Sequence, residues 1–125
     1  MPVIEINALP QKSHVNIEQT VKNVALAVAK AIGVPSQKVY CTWNEIGKNH
    51  YAAGELAVAM QPDDSHPPVV RLTLFEGRTP ALIEAAINAI AEELQKAMKT
   101  SEKNAFISYA EAKSGQIFTG GQVKR

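Results

Sequence analysis

The chain has 125 residues, 46% of them apolar, and its 13 basic and 12 acidic side chains leave a net charge of +1. That length suits one domain that buries its core without staples, and the near-neutral balance gives no electrostatic footprint for nucleic acid or an anionic membrane. No apolar run approaches the roughly 20 residues of a membrane span, the start lacks a basic stretch followed by an apolar one, and the lone Cys41 cannot close an internal disulfide, so a cytoplasmic protein is expected.

In the first strand, Ile4, Ile6 and Ala8 share one face while Val3, Glu5 and Asn7 share the other, the period of a half-buried strand. Pro10 and Ser13 are expected to open a helix over about residues 14–32. Ile17, Val21, Val24, Val28 and Ile32 recur every three or four positions and form its buried stripe. Gly33 suits the position after the helix, and Pro35 stops it from resuming. Val39 to Trp43 is a strand by composition, with Cys41 an inert member and Trp43 in a sheet or interface core. The polar stretch from Asn44 to Gly54 reads as a hairpin or extended loop, and Gln61 to Pro67 as a linker of turn formers.

The chain then starts again. Pro68 to Leu74 repeats the first strand, with Val70, Leu72 and Leu74 as buried alternates. Glu76-Gly77-Arg78 forms a turn, Thr79 is an N-cap, and Pro80 suits the first helical position. Ile83, Ile87, Ile90, Leu94 and Met98 line a second helix; Ala105 to Tyr109 is the fourth strand, and a glycine-containing tail follows.

A shift of 66 positions superimposes the halves without a gap and pairs Pro2 with Pro68, Lys12 with Arg78, Tyr40 with Phe106, and Gly54 with Gly120. The expected organisation is one domain: repeat one at 1–57, a linker at 58–67, and repeat two at 68–125. Two copies are too few for a solenoid. The pattern predicts an α+β fold, in which two βαβ repeats form one four-stranded mixed sheet with both helices on one face. The other face carries apolar side chains such as Val3 and Val69, which predicts association through the sheets into a closed ring.

Chemistry centres on Pro2. Initiator methionine is normally removed before a proline, which would leave a rigid secondary amine; α-amino groups titrate near about 8. If a pseudo-twofold axis pairs strands one and three antiparallel, Arg78 comes beside Pro2 and Lys12 beside Pro68. Pro68 is an internal amide with no lone pair to offer, so one pocket is live and the other dead. Arg78 presents a planar fork for a carboxylate, and its charge favours the unprotonated amine. A base beside an anion-binding arginine suits proton transfer next to the carbonyl of a 2-keto acid. Tyr40 and Tyr51 are assigned to the dead pocket as packing residues. His14, His50 and His66 show no metal-ligand spacing, and no glycine loop cradles phosphate.

The Pro2-Val3-Ile4-Glu5-Ile6 start, Gly33-Val34-Pro35 and the Glu76-Gly77-Arg78-Thr79 turn resemble the tautomerase superfamily. So do the segment from Glu45 through Lys48-Asn49-His50-Tyr51 to Gly54-Glu55 and its partner from Glu111 to Gly121. Each half is similar to one 4-oxalocrotonate tautomerase subunit, and the whole to a fused, two-unit member. Overall size and Phe106-Ile107-Ser108-Tyr109 also resemble macrophage migration inhibitory factor.

The resemblance implies a homotrimer with a sheet barrel inside and helices outside, a catalytic N-terminal proline, and no cofactor. Pro2 matches that proline, and Arg78 the arginine that binds substrate carboxylate. Phe106 takes a position that would come from a neighbouring chain, Ser108 that of a polar pocket residue, and Ile117 that of an apolar wall. Phe106 lacks the hydrogen-bond donor used there to polarise the substrate carbonyl, and Val34 replaces a lysine of migration inhibitory factor. No acid is placed to activate water, which argues against the hydrolytic branches. The implied activity is keto–enol isomerisation of small 2-keto or 2-hydroxy acids such as phenylpyruvate or a 2-hydroxymuconate-like dienol. The alternative is a non-catalytic ligand-binding or protein-interaction module on the same scaffold.

Overall fold

The computed structural model describes residues 2–125. Its main sheet contains β1 (Val3–Ala8), β2 (Tyr40–Glu45), β5 (Val69–Phe75) and β6 (Phe106–Ala112), in the order β2-β1-β5-β6. The outer pairs are parallel and the central pair, β1 with β5, is antiparallel. Between them run α1 (Ile17–Ile32), the small hairpin β3 (Ala52–Ala53) and β4 (Leu56–Ala57), and α2 (Pro80–Met98). A second hairpin, β7 (Phe118–Thr119) and β8 (Gln122–Val123), ends the chain.

Alternation decides which face is covered. Ile4, Ile6, Val70 and Leu72 are fully buried, and they share one cluster with Val24, Val28 and Ile32 of α1 and Ile90, Leu94 and Met98 of α2. Both helices therefore lie on one face of a mixed four-stranded sheet, the α+β arrangement expected from the sequence. Cys41, Trp43, Ile107 and Tyr109 of the edge strands pack against the same core.

The 66-residue spacing recurs in the coordinates. The β3–β4 turn and the β7–β8 turn rest on Gly54 and Gly120, at φ 62° and 61°, a conformation that favours glycine. Tyr40 N–H donates to Pro2 O at 2.9 Å, and Phe106 N–H to Pro68 O at 3.1 Å.

The helix starts differ between repeats. Thr79 caps α2 by accepting from Leu82 N at 3.3 Å, with Pro80 in the first turn. In repeat one the expected start near residue 14 is not used. Val15 N–H closes a turn on Lys12 O, and the Asn16 side chain accepts from Gln19 N at 2.9 Å, so α1 begins at Ile17 with Asn16 rather than Ser13 as its cap.

Residues 58–67 form a folded plug, with Gln61 and His66 only 5% and 1% exposed. Gln61 Nε2 donates to His66 O at 2.9 Å, and Asn104 Nδ2 reaches Pro62 O and Ser65 O at 3.1 and 3.0 Å. His66 Nε2 lies 2.8 Å from Leu56 O and Nδ1 2.9 Å from Ser65 Oγ, while Tyr51 donates to Pro67 O at 2.7 Å and sets its ring against the imidazole. Buried polar groups are tolerated because they are bonded to one another. Among the described residues, no helix is long and apolar enough to cross a membrane.

Two outcomes follow. Asn104→Ala removes one donor from each of the Pro62 and Ser65 carbonyls, which keep only Gln61 Nε2 at 3.0 and 3.4 Å, and is expected to lower stability by about 1–2 kcal/mol in urea unfolding; an unchanged midpoint would refute this account of the plug. Burial pushes the Cys41 thiol up to about 12, so at pH 8 the folded protein should react with thiol reagents on the order of a hundredfold more slowly than the unfolded chain.

Candidate active site

The antiparallel register from Val3↔Thr73 to Asn7↔Val69 lays the start of β1 against the end of β5. Pro2 is buried and continues the alternation of Ile4 and Ile6 toward the helices. Past β5 the chain reverses through Glu76-Gly77-Arg78; Gly77 sits at φ 100°, which a side chain would strain. Glu76 Oε1 accepts from Ser114 N–H, tying this turn to the end of β6.

Arg78 is half-buried, and its Nη1 donates to Ile32 O at 3.4 Å. Ile32 ends α1, where the negative end of the helix dipole favours a cation. Among the described residues this is the only hydrogen bond Arg78 donates, so the other guanidinium N–H groups remain available. Tyr109 stands within its field. Burial and, after it, the Glu111 carboxylate push the Tyr109 hydroxyl above its ordinary range, and Arg78 opposes them. The Tyr109 hydroxyl and Trp43 Nε1 are buried without a partner among the described residues.

Three depressions surround this end of the sheet. One of about 360 Å³ is lined by Phe75, Gly77, Arg78, Thr79, Leu82 and Lys124. A more apolar one of about 410 Å³ has Ile117 and Phe118 facing Val3, Tyr40 and Thr73. A third, of about 220 Å³, lies between Lys38, Tyr40 and Lys124. Lys124 borders the first and third, and Tyr40 the second and third, so the three adjoin one another.

Pro2, Arg78 and Ile117 thus gather at one end. Phe106 and Ser108 do not join them within the chain: they pair with Val69 and Arg71, toward the opposite end of β5. Both are solvent-exposed, Phe106 by 57%, and so stand open to a neighbouring chain. Within one chain Tyr40 does not lie at the dead pocket, just as Phe106 does not lie at the live one. Parallel pairing of Val3 with Tyr40 carries that ring to the Pro2 end, whereas Tyr51 does lie at the Pro68 end, against Pro67. Lys124, which borders two of these depressions, is not singled out by the sequence reading, although the 66-residue shift sets it against Val58. Removal of Met1, on which a Pro2 amine depends, lies outside the described residues. The described residues hold no group of three potential metal ligands.

No family model matches the chain. A curated relative, a probable tautomerase of Lactiplantibacillus plantarum, is 32% identical over 54 residues, covering 43% of this chain and 84% of that protein. A wild-type fused 4-OT solved as an asymmetric trimer superimposes with a TM-score of 0.83 at 22% identity, over 97% of this chain and 94% of its own. A macrophage migration inhibitory factor-like protein from Entamoeba histolytica gives 0.73 at 9% identity, over 98% and 97%. The relative spans about one repeat and the solved folds span both, and on that match the chain belongs to the tautomerase superfamily.

Proposed function

We propose that the protein is a keto–enol tautomerase for small 2-keto or 2-hydroxy acids, with Pro2 as general base and Arg78 holding the substrate carboxylate. The observation that carries this reading is the β1–β5 register, which sets the first residues of the chain beside the turn bearing Arg78. With Met1 removed, the Pro2 nitrogen takes a proton from the carbon next to the carbonyl. It returns that proton to the enolate oxygen or to a conjugated carbon, so nothing is oxidised or lost. Arg78 fixes the carboxylate through guanidinium donors that the protein does not use. Ile117 and Val3 supply an apolar wall for the rest of the molecule.

The trimer belongs to the same proposal. Tyr40, Val69 and Phe106 expose 51%, 38% and 57% of their surface on the sheet face away from the helices. A ring of three chains would cover that face, and a fused 4-OT of similar fold is a trimer; in this reading Phe106 and Ser108 meet a neighbour's Pro2. The apolar ring of Phe106 is the observation that favours the second reading, a binding module without turnover.

Turnover of phenylpyruvate should fall by at least about a hundredfold in Pro2→Ala and rise with pH in the wild type as the amine loses its proton. Arg78→Ala should chiefly raise KM, by about tenfold or more. Intact mass shows whether Met1 is gone; processed protein without turnover selects the binding module. Sedimentation should give three chains per particle, and Phe106→Glu should shift it toward monomer; a monomeric wild type would refute the ring.

A further inference from the structure

We propose that Lys124 is a substrate-contacting residue of the Arg78 cleft, its ammonium holding the carbonyl oxygen while Arg78 holds the carboxylate. This inference rests on the tautomerase reading and gives that site a second cation.

Lys124 and Arg78 line the same cleft of about 360 Å³, a size within the range of small-molecule sites. The backbone of Lys124 is pinned on both sides: its N–H donates to Ile117 O at 2.9 Å, and its carbonyl accepts from Gly115 N–H at 2.7 Å. Its Nζ lies 5.8 Å from the centre of the Phe75 ring, near enough for the ring face to hold a cation in the cleft. Among the described residues no carboxylate lies within ion-pair distance of Lys124. Glu76, the acid that borders the cleft, accepts from Ser114 N–H.

The other repeat supplies the control. A shift of 66 places Val58 at the position of Lys124, Leu9 at that of Phe75, and Lys12 at that of Arg78. Val58 O accepts from Asn49 N–H as Lys124 O accepts from Gly115 N–H, so the two backbones are held alike. Yet at the Pro68 end Val58 puts no ammonium at this place, and Leu9 puts no aromatic ring at the position of Phe75. Leu9 is fully buried, and the Lys12 amine is taken by Asp63 at 2.9 Å. The combination of an aromatic ring, a lysine and an arginine is built only where a Pro2 amine could act.

The chemistry has a place for it. As the Pro2 nitrogen removes the proton, the C–H electron pair becomes the new carbon–carbon double bond, and the carbonyl π pair moves onto oxygen. An ammonium at that oxygen stabilises the developing charge in the transition state more than in the ground state. The proton then returns from Pro2, leaving an isomer of the substrate. Phe106 carries no donor for this purpose, and Lys124 supplies it from within the chain.

The test compares Lys124→Met, Lys124→Arg, Arg78→Ala, Pro2→Ala and the control Val58→Lys in phenylpyruvate turnover, with circular dichroism to confirm folding. Lys124→Met should lower kcat by roughly a hundredfold with little change in KM. Lys124→Arg should restore most of the rate, and Val58→Lys should match the wild type. If Lys124→Met stays within twofold of wild type in both constants while Arg78→Ala and Pro2→Ala are impaired, the inference is overturned and the tautomerase reading stands. If Pro2→Ala and Arg78→Ala are unimpaired, or the wild type shows no turnover, that reading fails. The role of Lys124, which rests on that reading, then falls with it.

Discussion

The antiparallel seam between β1 and β5 is the constraint on which the rest of this structure depends. Ile4 lies opposite Leu72 and Ile6 opposite Val70 on the helix-covered face, while Glu5 lies opposite Arg71 on the other. A slip of β1 by one residue would turn Glu5 into the core and bring Ile4 and Ile6 out, so burial strongly disfavours it. A slip of two would keep the faces but carry the Arg78 turn about 7 Å along the seam relative to Pro2. Cross-strand packing of four aliphatic side chains therefore positions groups that take no part in that packing.

The same seam makes two equivalent ends, and the chain treats them differently. At the Pro68 end, residues 58–67 fold back under the β3–β4 hairpin. Asp63 engages Lys12, Tyr51 donates to Pro67 O, and His66 is enclosed by Leu56 O and Ser65. The covalent join between repeats, needed simply to connect β4 with β5, thus also fills that end with satisfied polar groups. At the Pro2 end the corresponding arginine keeps most of its donors, and the clefts gather there.

Much of this was legible because it depends on short-range period or on the repeat itself. Alternation through Val3–Ala8 and Pro68–Leu74 shows the buried faces, and the gap-free shift of 66 implies the pseudo-symmetry that pairs Pro2 with the Arg78 turn. What was not legible depends on competition or on distant partners. Ser13 and Asn16 are both good caps, and the turn from Lys12 to Val15 decides between them. Gln61 to Pro67 has the composition of a solvated tether, and its burial comes from Tyr51 and Asn104, the latter some 40 positions away. Within the chain Tyr40 falls at the Pro2 end because a parallel neighbour brings its first residue to the start of β1, a consequence of pairing direction that composition does not carry. Lys124 sits in a tail that reads as a turn, and its meaning appears only when the hairpin closes against Phe75.

Fusion explains why such a residue can exist at one end alone. In a symmetric dimer of single repeats, each side chain appears in both sites, so a lysine suited to one pocket is imposed on the other. Here the other pocket would receive it beside Lys12, with the fully buried Leu9 rather than an aromatic ring at the position of Phe75, where an ammonium meets a like charge. Joining the repeats removes that coupling. Leu9 and Val58 are left to packing, Asp63 neutralises Lys12, and Phe75 and Lys124 can be chosen for charge. On the proposed function, one catalytic end per chain would then follow from connectivity twice over: with Met1 removed only Pro2 of the two prolines would be an amine, and only that end would need to hold an anion.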